Sequence, residues 1–213
     1  FVSGVTVTRA SLHNAGYLRK LGLRHGALVE LVRRGGVIPH VERVLSASGD
    51  DITPPDACPS CGRGVKRDGD FVYCVDPDTC PDVIRGRVSH FTRVIDVLGF
   101  GKKHISALID KGLVRSPADL YRLTVEELCT LERMGPTLAQ KLVNELNARR
   151  TLPLPVFLTA LGIDEVGPTV AEALCEHYPS LDALRQATEE DLAAIHGVGP
   201  SIASSLERGL LQL

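Results

Sequence analysis

The sequence contains no tryptophan, and aromatic residues make up only 4% of its 213 positions. This scarcity argues against cores built on large aromatic side chains, so the 44% apolar content must fill its cores mainly with aliphatic residues. A chain of this length accommodates two or three small domains. We therefore expect several small cores packed from leucine, valine, isoleucine and alanine.

Long apolar runs are also absent. No stretch approaches the roughly 20 residues that a membrane-spanning helix needs, and residues 1–8 lack the basic start and apolar segment of an export signal. These absences predict a cytoplasmic protein with no membrane partner. The chain begins at Phe1 within a predicted strand, so we interpret it as a piece of a longer protein.

A large net charge is missing as well, since the formal value is only −2. The average hides a gradient, because residues 1–104 hold 15 Lys or Arg against 11 Asp or Glu, whereas residues 105–213 hold 9 against 15. The front of the chain is mildly basic and the tail is acidic. Any contact of the tail with DNA must therefore depend on something other than clustered basic side chains.

Three short runs of alternating apolar and polar residues predict a small antiparallel β unit at the start of the chain. They fall at Val5 and Val7, at residues 28–32 and at residues 37–45, with turn signals at residues 25–26 and 35–36. Three strands are too few to close a barrel, so we expect further strands upstream. The acidic, proline-containing residues 49–57 indicate a linker.

Beyond the cysteines described next, the apolar spacing changes to a helical period. Ser116-Pro117 and Thr124 with Glu127 are typical helix starts. We predict only helices from about residue 85 onwards. The expected fold class is multidomain α+β, with a β domain at 1–55, a cysteine module at 56–84 and an all-α domain at 85–213.

Four of the six cysteines fall within 23 residues, at positions 58, 61, 74 and 80. Two close cysteines on a tight turn present both thiolates to one ion, and a second pair completes a closed tetrahedron. We predict a structural Zn²⁺ on Cys58, Cys61, Cys74 and Cys80. The alternative is two disulfides, which would require an oxidising compartment. Cys129 and Cys175 have apolar neighbours and are predicted to be buried.

The tail repeats one signature four times, at residues 99–105, 133–139, 165–171 and 197–203, which we call the first to fourth hairpins. Their aligned glycines at positions 101, 135, 167 and 199 are 34, 32 and 32 residues apart. Such a register is the mark of an internal repeat. The signature is that of the helix-hairpin-helix, a sequence-independent binder of the DNA backbone.

Each part of the signature has a physical role. Glycines in the turn allow positive φ and close approach of a foreign backbone, and the apolar residue between them fills the space between two helices. Proline at positions 136, 168 and 200 suits the first helical residue, and a small residue at 139, 171 and 203 permits a close helix crossing. The free N–H groups of the helix start then form a phosphate site.

The four hairpins are not equivalent. Arg133 and Glu165 occupy the first glycine position of the second and third hairpins, so we predict the first and fourth as the phosphate grips, although some units could serve only for packing. The residues predicted to lie at the DNA are Gly99, Gly101, Lys102, Lys103, Gly135, Gly167, Gly197 and Gly199. Lys102, Lys103 and His104 would add direct cationic contacts, while Ile105 replaces the small residue there.

The order of a partial β barrel, a four-cysteine module and four hairpins resembles the C-terminal part of the bacterial NAD-dependent DNA ligases. Local segments are similar too: residues 11–14, Arg33-Arg34 followed by residues 37–39, His90-Phe91, residues 116–123 and residues 131–135. The Gly35-Gly36-Val37 stretch is one residue shorter than the family motif, which indicates a divergent member.

The resemblance implies the end of an OB fold, a zinc finger and a helix-hairpin-helix domain. It implies a monomer, associated with the nucleoid, that binds nicked double-stranded DNA without sequence preference in replication and repair. Nick sealing with NAD and Mg²⁺ would belong to an upstream adenylation domain, so no catalytic residue is expected here. Arg9, Asn14, Arg33 and Arg34 are the candidates for DNA contacts of the β domain.

Residues 66–69 match the Lys-x-Asp-Gly motif of nucleotidyl-lysine enzymes. The match lies between Cys61 and Cys74 on a short predicted hairpin, so we interpret it as coincidence. Two other functions remain open from the sequence: a non-catalytic DNA-repair scaffold, and a protein-interaction tail whose hairpins serve only for packing.

Overall fold

The computed structural model describes residues 6–35 and 38–211, which form two compact units. The first unit runs from Phe1 to Cys80 and the second from Pro81 to Leu213. The regular elements of the first unit are α1 (Ala15–Leu21), β1 (Leu28–Arg34), β2 (Ile38–Ser46), β3 (Val65–Asp68) and β4 (Phe71–Cys74). Strands β1 and β2 form one antiparallel sheet, and β3 and β4 form another.

The first predicted strand is wrong where it is described. Residues 6–10 have no regular secondary structure, and Val5 lies outside the described residues. A strand needs a partner for its N–H and C=O groups, and here Ser11 makes only an isolated bridge to His40. Strand β2 begins at Ile38, and Val37 also lies outside the described residues.

Helix α1 was not predicted from the sequence. The side chain of Asn14 caps it by accepting a hydrogen bond of 2.8 Å from the N–H of Tyr17. The helix packs on the turn between β3 and β4, where the N–H of Gly16 donates to the carbonyl of Asp70 at 2.9 Å. A Cβ atom at Gly16 would lie 1.8 Å from Asp70 Oδ1, so only glycine permits this approach.

The predicted linker has no helix or strand, but its first residues are bound to the β domain. Asp51 forms an ion pair of 2.8 Å with Arg24, and the carbonyl of Asp50 accepts a hydrogen bond from the N–H of His25. The connection therefore starts as an anchored segment.

All regular elements described in the second unit are helical, as predicted. They are α2 (Pro81–Val94), α3 (Lys102–Asp110), a 3₁₀ helix (Pro117–Arg122), α4 (Val125–Cys129), α5 (Pro136–Ala148), α6 (Leu154–Leu161), α7 (Pro168–His177), α8 (Leu181–Gln186), α9 (Glu189–Ala193) and α10 (Pro200–Leu210). None of the described helices has both the length and the apolar character required to cross a membrane.

These helices form four hairpins, namely α2 with α3, α4 with α5, α6 with α7, and α9 with α10. The first two hairpins share one buried core, and the last two share another. We call residues 81–148 the first tandem and residues 154–210 the second tandem. The 3₁₀ helix joins the hairpins of the first tandem, and α8 joins those of the second.

The two tandems also repeat their helix caps. Thr124 and Glu127 form the predicted capping box, with reciprocal hydrogen bonds of 3.2 and 2.9 Å. Thr188 and Asp191 form the same box 64 positions later. Reciprocal caps satisfy N–H groups that the first turn leaves unpaired, so both tandems start their fourth helical element in the same way.

Candidate metal centre and nucleic-acid interface

The four predicted cysteines meet at one point of the first unit. Their Sγ atoms all lie within 4.8 Å of one another, with 3.7 Å between Cys58 and Cys80 and 3.5 Å between Cys61 and Cys74. Zinc–sulfur bonds of about 2.3 Å at tetrahedral angles place sulfur atoms about 3.8 Å apart. The cluster therefore has the size and the donor set of a closed four-cysteine zinc site.

Two tight turns present these sulfur atoms. In the first turn, the N–H of Gly62 donates to the carbonyl of Cys58 at 2.8 Å, and Gly62 adopts a φ of +72° that favours glycine. In the second turn, the N–H of Asp76 points to Cys74 Sγ at 3.4 Å. An ion pair between Arg63 and Asp76 joins the two turns. The spacing of the cysteines thus produces turns whose backbone N–H groups face sulfur.

The crowding of the four thiols changes their acidity. The strongest single influence on Cys61 is a backbone hydrogen bond from Arg63, which lowers its pKa, but burial and the other three cysteines together raise that pKa to about 12. The pKa of Cys74 is also raised. Four neighbouring thiolates would repel one another strongly, and a bound divalent cation is what normally stabilises such a set.

The alternative of two disulfides does not fit this geometry, because a disulfide requires sulfur atoms about 2.05 Å apart. All six cysteines are free thiols. Cys129 and Cys175, predicted to be buried, are only half-buried, each packed against the edge of an apolar core. Burial raises the pKa of the Cys175 thiol.

Lys66 lies on β3, exposed at the surface of the short β3–β4 hairpin. Its ammonium group lies 5.8 Å from the ring centre of Tyr73 on the paired strand. The neighbouring Arg67 binds the carboxylate of Asp56 at 3.1 Å. The lysine therefore stands on an open two-stranded surface.

The first position of each hairpin turn adopts a left-handed backbone. Gly99 and Gly197 have φ values of +100° and +84°, as expected for glycine. Arg133 and Glu165 adopt the same conformation, with φ values of +59° and +66°. All four turns therefore follow one path, and two of them do so with residues for which this conformation is strained.

The second glycine behaves differently from the prediction. Gly101, Gly135, Gly167 and Gly199 have negative φ values between −69° and −88° and serve as the N-cap residues of α3, α5, α7 and α10. Positive φ is therefore not the reason for glycine there. A Cβ atom at any of the four would meet no atom within 4 Å, so each glycine leaves open space in front of a helix start.

The packing roles predicted for the signature are confirmed. The residue between the two turn positions is at most 6% exposed in every hairpin: Phe100, Met134, Val166 and Val198. Ala139, Ala171 and Ala203 are fully buried, and Ile105 fills the equivalent place in the first hairpin at 1% exposure. These apolar and small residues thus pack inside each hairpin, while the N-cap glycines face open space.

The residue that precedes each turn differs in charge between the four hairpins. It is Leu98 in the first hairpin, Glu132 in the second, Asp164 in the third and His196 in the fourth. The first hairpin also has the exposed Lys102 and Lys103, and its His104 Nδ1 donates to the carbonyl of Gly99 at 2.8 Å. The residue before the turn is therefore a carboxylate in the second and third hairpins and not in the first and fourth.

Comparison with known families gives three matches. Residues 1–51 match the NAD-dependent DNA ligase OB-fold domain, residues 91–148 match the SAM-like helix-hairpin-helix tandem, and residues 156–208 match the helix-hairpin-helix motif. Proteins named DNA ligase from Halorubrum lacusprofundi, Syntrophotalea carbinolica and Acidobacterium capsulatum are 41%, 42% and 41% identical over 96% of this chain. The chain is similar to the C-terminal part of the NAD-dependent DNA ligases. We call it the ligase segment below. It spans only 29% to 32% of the length of these relatives.

In this ligase segment, the four residues predicted to contact DNA from the OB-fold part have different environments. Arg9 is exposed in an irregular stretch, and Asn14 uses its side chain to cap α1. Arg33 is half-buried on β1, opposite Pro39.

Arg34 of the ligase segment has an internal partner. Its guanidinium donates to Glu42 Oε2 at 2.8 Å, and this hydrogen bond holds the pKa of the Glu42 carboxyl below its ordinary value. A DNA phosphate would have to compete with Glu42 for this arginine.

Two features of the ligase segment were missed by reasoning from the sequence. One is the close backbone contact between Gly16 and Asp70. The other is a hydrogen bond of 2.9 Å from Ser201 Oγ to Glu165 Oε2, between the third and fourth hairpins. The sequence signal for this second feature is that Glu165 aligns with Gly197. A non-glycine residue at a turn position of positive φ directs its side chain unusually.

Proposed function

We propose that this segment holds nicked duplex DNA for an NAD-dependent ligase, binding the DNA backbone without sequence preference. The observation that supports this best is the repeated open helix start: four N-cap glycines, each with no atom within 4 Å of the position of a Cβ atom. A neighbouring sugar-phosphate backbone can approach these positions closely. The similarity of the chain to the DNA ligases supports the same proposal.

The binding works through main-chain N–H groups. The first N–H groups of a helix have no partner within the helix, and the aligned peptide dipoles place partial positive charge there. A phosphate oxygen accepts from such groups without any basic side chain. This explains how a tail with more acidic than basic residues can bind DNA.

We assign the strongest phosphate contacts to the first and fourth hairpins. Gly101 and Gly199 open the starts of α3 and α10, and Lys102 and Lys103 add positive charge at the first of them. Such contacts fix the position of a duplex but do not distinguish bases. Gly135 and Gly167 would make weaker contacts.

The remaining assignments follow from the family. Zn²⁺ on Cys58, Cys61, Cys74 and Cys80 would be structural, because the four sulfur atoms leave no ligand position for water. Arg9, Asn14, Arg33 and Arg34 would contact DNA from the OB-fold part. NAD and Mg²⁺ would act in the upstream part of a monomeric enzyme that seals nicks in replication and repair, in the cytoplasm.

Titration of a labelled nicked duplex with the isolated chain tests the proposal. Fluorescence anisotropy is expected to give the same affinity for two duplexes of unrelated sequence and a lower affinity for one strand alone. Uncharged main-chain donors neutralise phosphates less than Lys or Arg side chains do, so fewer counterions should leave the DNA. The logarithm of the binding constant should therefore fall with the logarithm of the salt concentration by less than about 0.9 per phosphate contacted. No binding, or binding to one sequence only, would contradict the proposal.

We also predict that incubation with NAD or ATP leaves no AMP on this chain. Lys66 stands on an exposed two-stranded surface beside the Tyr73 ring, without the enclosed nucleotide site that activates a nucleophilic lysine. Mass spectrometry of the intact protein checks this result. A covalent AMP located on Lys66 would show that the Lys-x-Asp-Gly match is functional.

A further inference from the structure

Glu165 lies in the turn of the third hairpin, but its side chain reaches the fourth. Its backbone has a φ of +66°, in the place where Gly197 stands in the fourth hairpin. Its carboxylate accepts a hydrogen bond of 2.9 Å from the hydroxyl of Ser201. Ser201 is the second residue of α10, immediately after the N-cap Gly199 and Pro200.

This contact brings a negative charge to the helix start that we propose as a phosphate grip. A carboxylate is favourable at the positive end of a helix dipole, for the same reason that a phosphate is. The two anions repel each other when they occupy one helix start, and the repulsion is strongest when water is displaced between them. Asp164, which immediately precedes Glu165, adds a second negative charge to the same turn.

The first tandem has no such charge at the equivalent place. There the matching residue is Gly99, which lies against Leu142 of α5, and a Cβ atom at Gly99 would be 2.4 Å from Leu142 Cδ2. A side chain at position 99 would therefore collide with Leu142. The two tandems share one architecture, but only in the second does the first turn position carry a carboxylate, which accepts a hydrogen bond from the next hairpin.

We propose that Glu165 is an internal competitor for DNA phosphate at the start of α10 and thereby sets how much the fourth hairpin contributes to binding. The proposal rests on the proposed function. Phosphate at the start of α10 must therefore compete with the carboxylate of Glu165. Glu165 is thus a residue that determines the division of binding between the two tandems.

The substitution Glu165→Gln tests this directly. Glutamine keeps the length of the side chain and an oxygen that accepts from Ser201, but it removes the charge. The affinity of the full chain for nicked duplex is expected to rise about two- to tenfold at low salt, the range that a charge at a helix end produces. The matched control is Glu207→Gln, which makes the same change of net charge in the last turn of α10.

A second pair of variants separates this inference from the proposed function. If Glu165 competes at α10, the gain from Glu165→Gln disappears when Gly199→Val is added. The competition is disproved if Glu165→Gln has no effect, or if Glu207→Gln gives an equal gain. If Gly199→Val alone still weakens binding, the fourth hairpin remains a phosphate contact. If neither Glu165→Gln nor Gly199→Val changes the affinity, the fourth hairpin does not contact DNA. The proposed competition and the proposed phosphate contact at α10 are then both wrong.

Discussion

Removal of zinc is expected to unfold the cysteine module while leaving the helical unit folded. Within residues 56–80 only Cys58 and Cys80 are buried, and both are among the predicted ligands, whereas Phe71 and Tyr73 on β4 are 52% and 40% exposed. The module thus lacks an apolar core of its own. In small zinc modules the metal contributes about 10–16 kcal/mol, which exceeds the stability of most domains.

Metal analysis of the reduced protein should give one zinc per chain, and Cys80→Ser should abolish stable binding. Addition of a strong chelator should make residues 56–80 accessible to protease, with little loss of helical circular dichroism. Cys129→Ser, a half-buried cysteine outside the cluster, is the control and should retain zinc. A folded, protease-resistant module without metal would contradict the assignment.

Replacement of Gly101 and Gly199 together by valine is expected to lower the affinity for nicked duplex about ten- to hundredfold. Each valine would fill the open space before a helix start and keep a phosphate from main-chain donors, and a hydrogen bond to a charged group contributes about 1.5–3 kcal/mol. Neither residue needs a positive φ, and a Cβ atom at either meets no atom within 4 Å. The helical content should therefore remain that of the wild type.

The matched control replaces Gly135 and Gly167 in the same way. These residues cap α5 and α7 with the same backbone geometry and the same open surroundings. Anisotropy titrations should show a clearly smaller loss for this pair. Equal losses for the two pairs would show that phosphate contacts are spread over all four hairpins, and no loss for Gly101 with Gly199 would contradict their assignment.

The parts predicted from the sequence are those determined by local chemistry. The four hairpins were evident because each turn keeps its second glycine and a buried apolar residue, and three of the four keep a small residue, all within seven positions. The cysteine cluster was evident because its cysteines lie on two short turns. The β3–β4 hairpin, which connects the two turns, spans only 10 residues. Such signals do not depend on distant parts of the chain.

The errors concern features that depend on tertiary contacts. Helix α1 spans only 7 residues, and its position is determined by the close approach of Gly16 to Asp70, which lies 54 positions away. Residues 6–10 alternate like a strand but have no continuous partner among the described residues. The contact of Glu165 with Ser201 crosses between hairpins, so no local pattern could predict it.

Backbone amide NMR of the full chain during titration with nicked duplex observes the proposed phosphate donors themselves. We expect the amides of Lys102 and Lys103 at the start of α3, and of Ser201 and Ile202 at the start of α10, to shift on binding. Amides near the ends of these helices, such as Ile109 and Leu210, should not shift. Binding of DNA with the four amides unchanged would show that these helix starts do not hold phosphate.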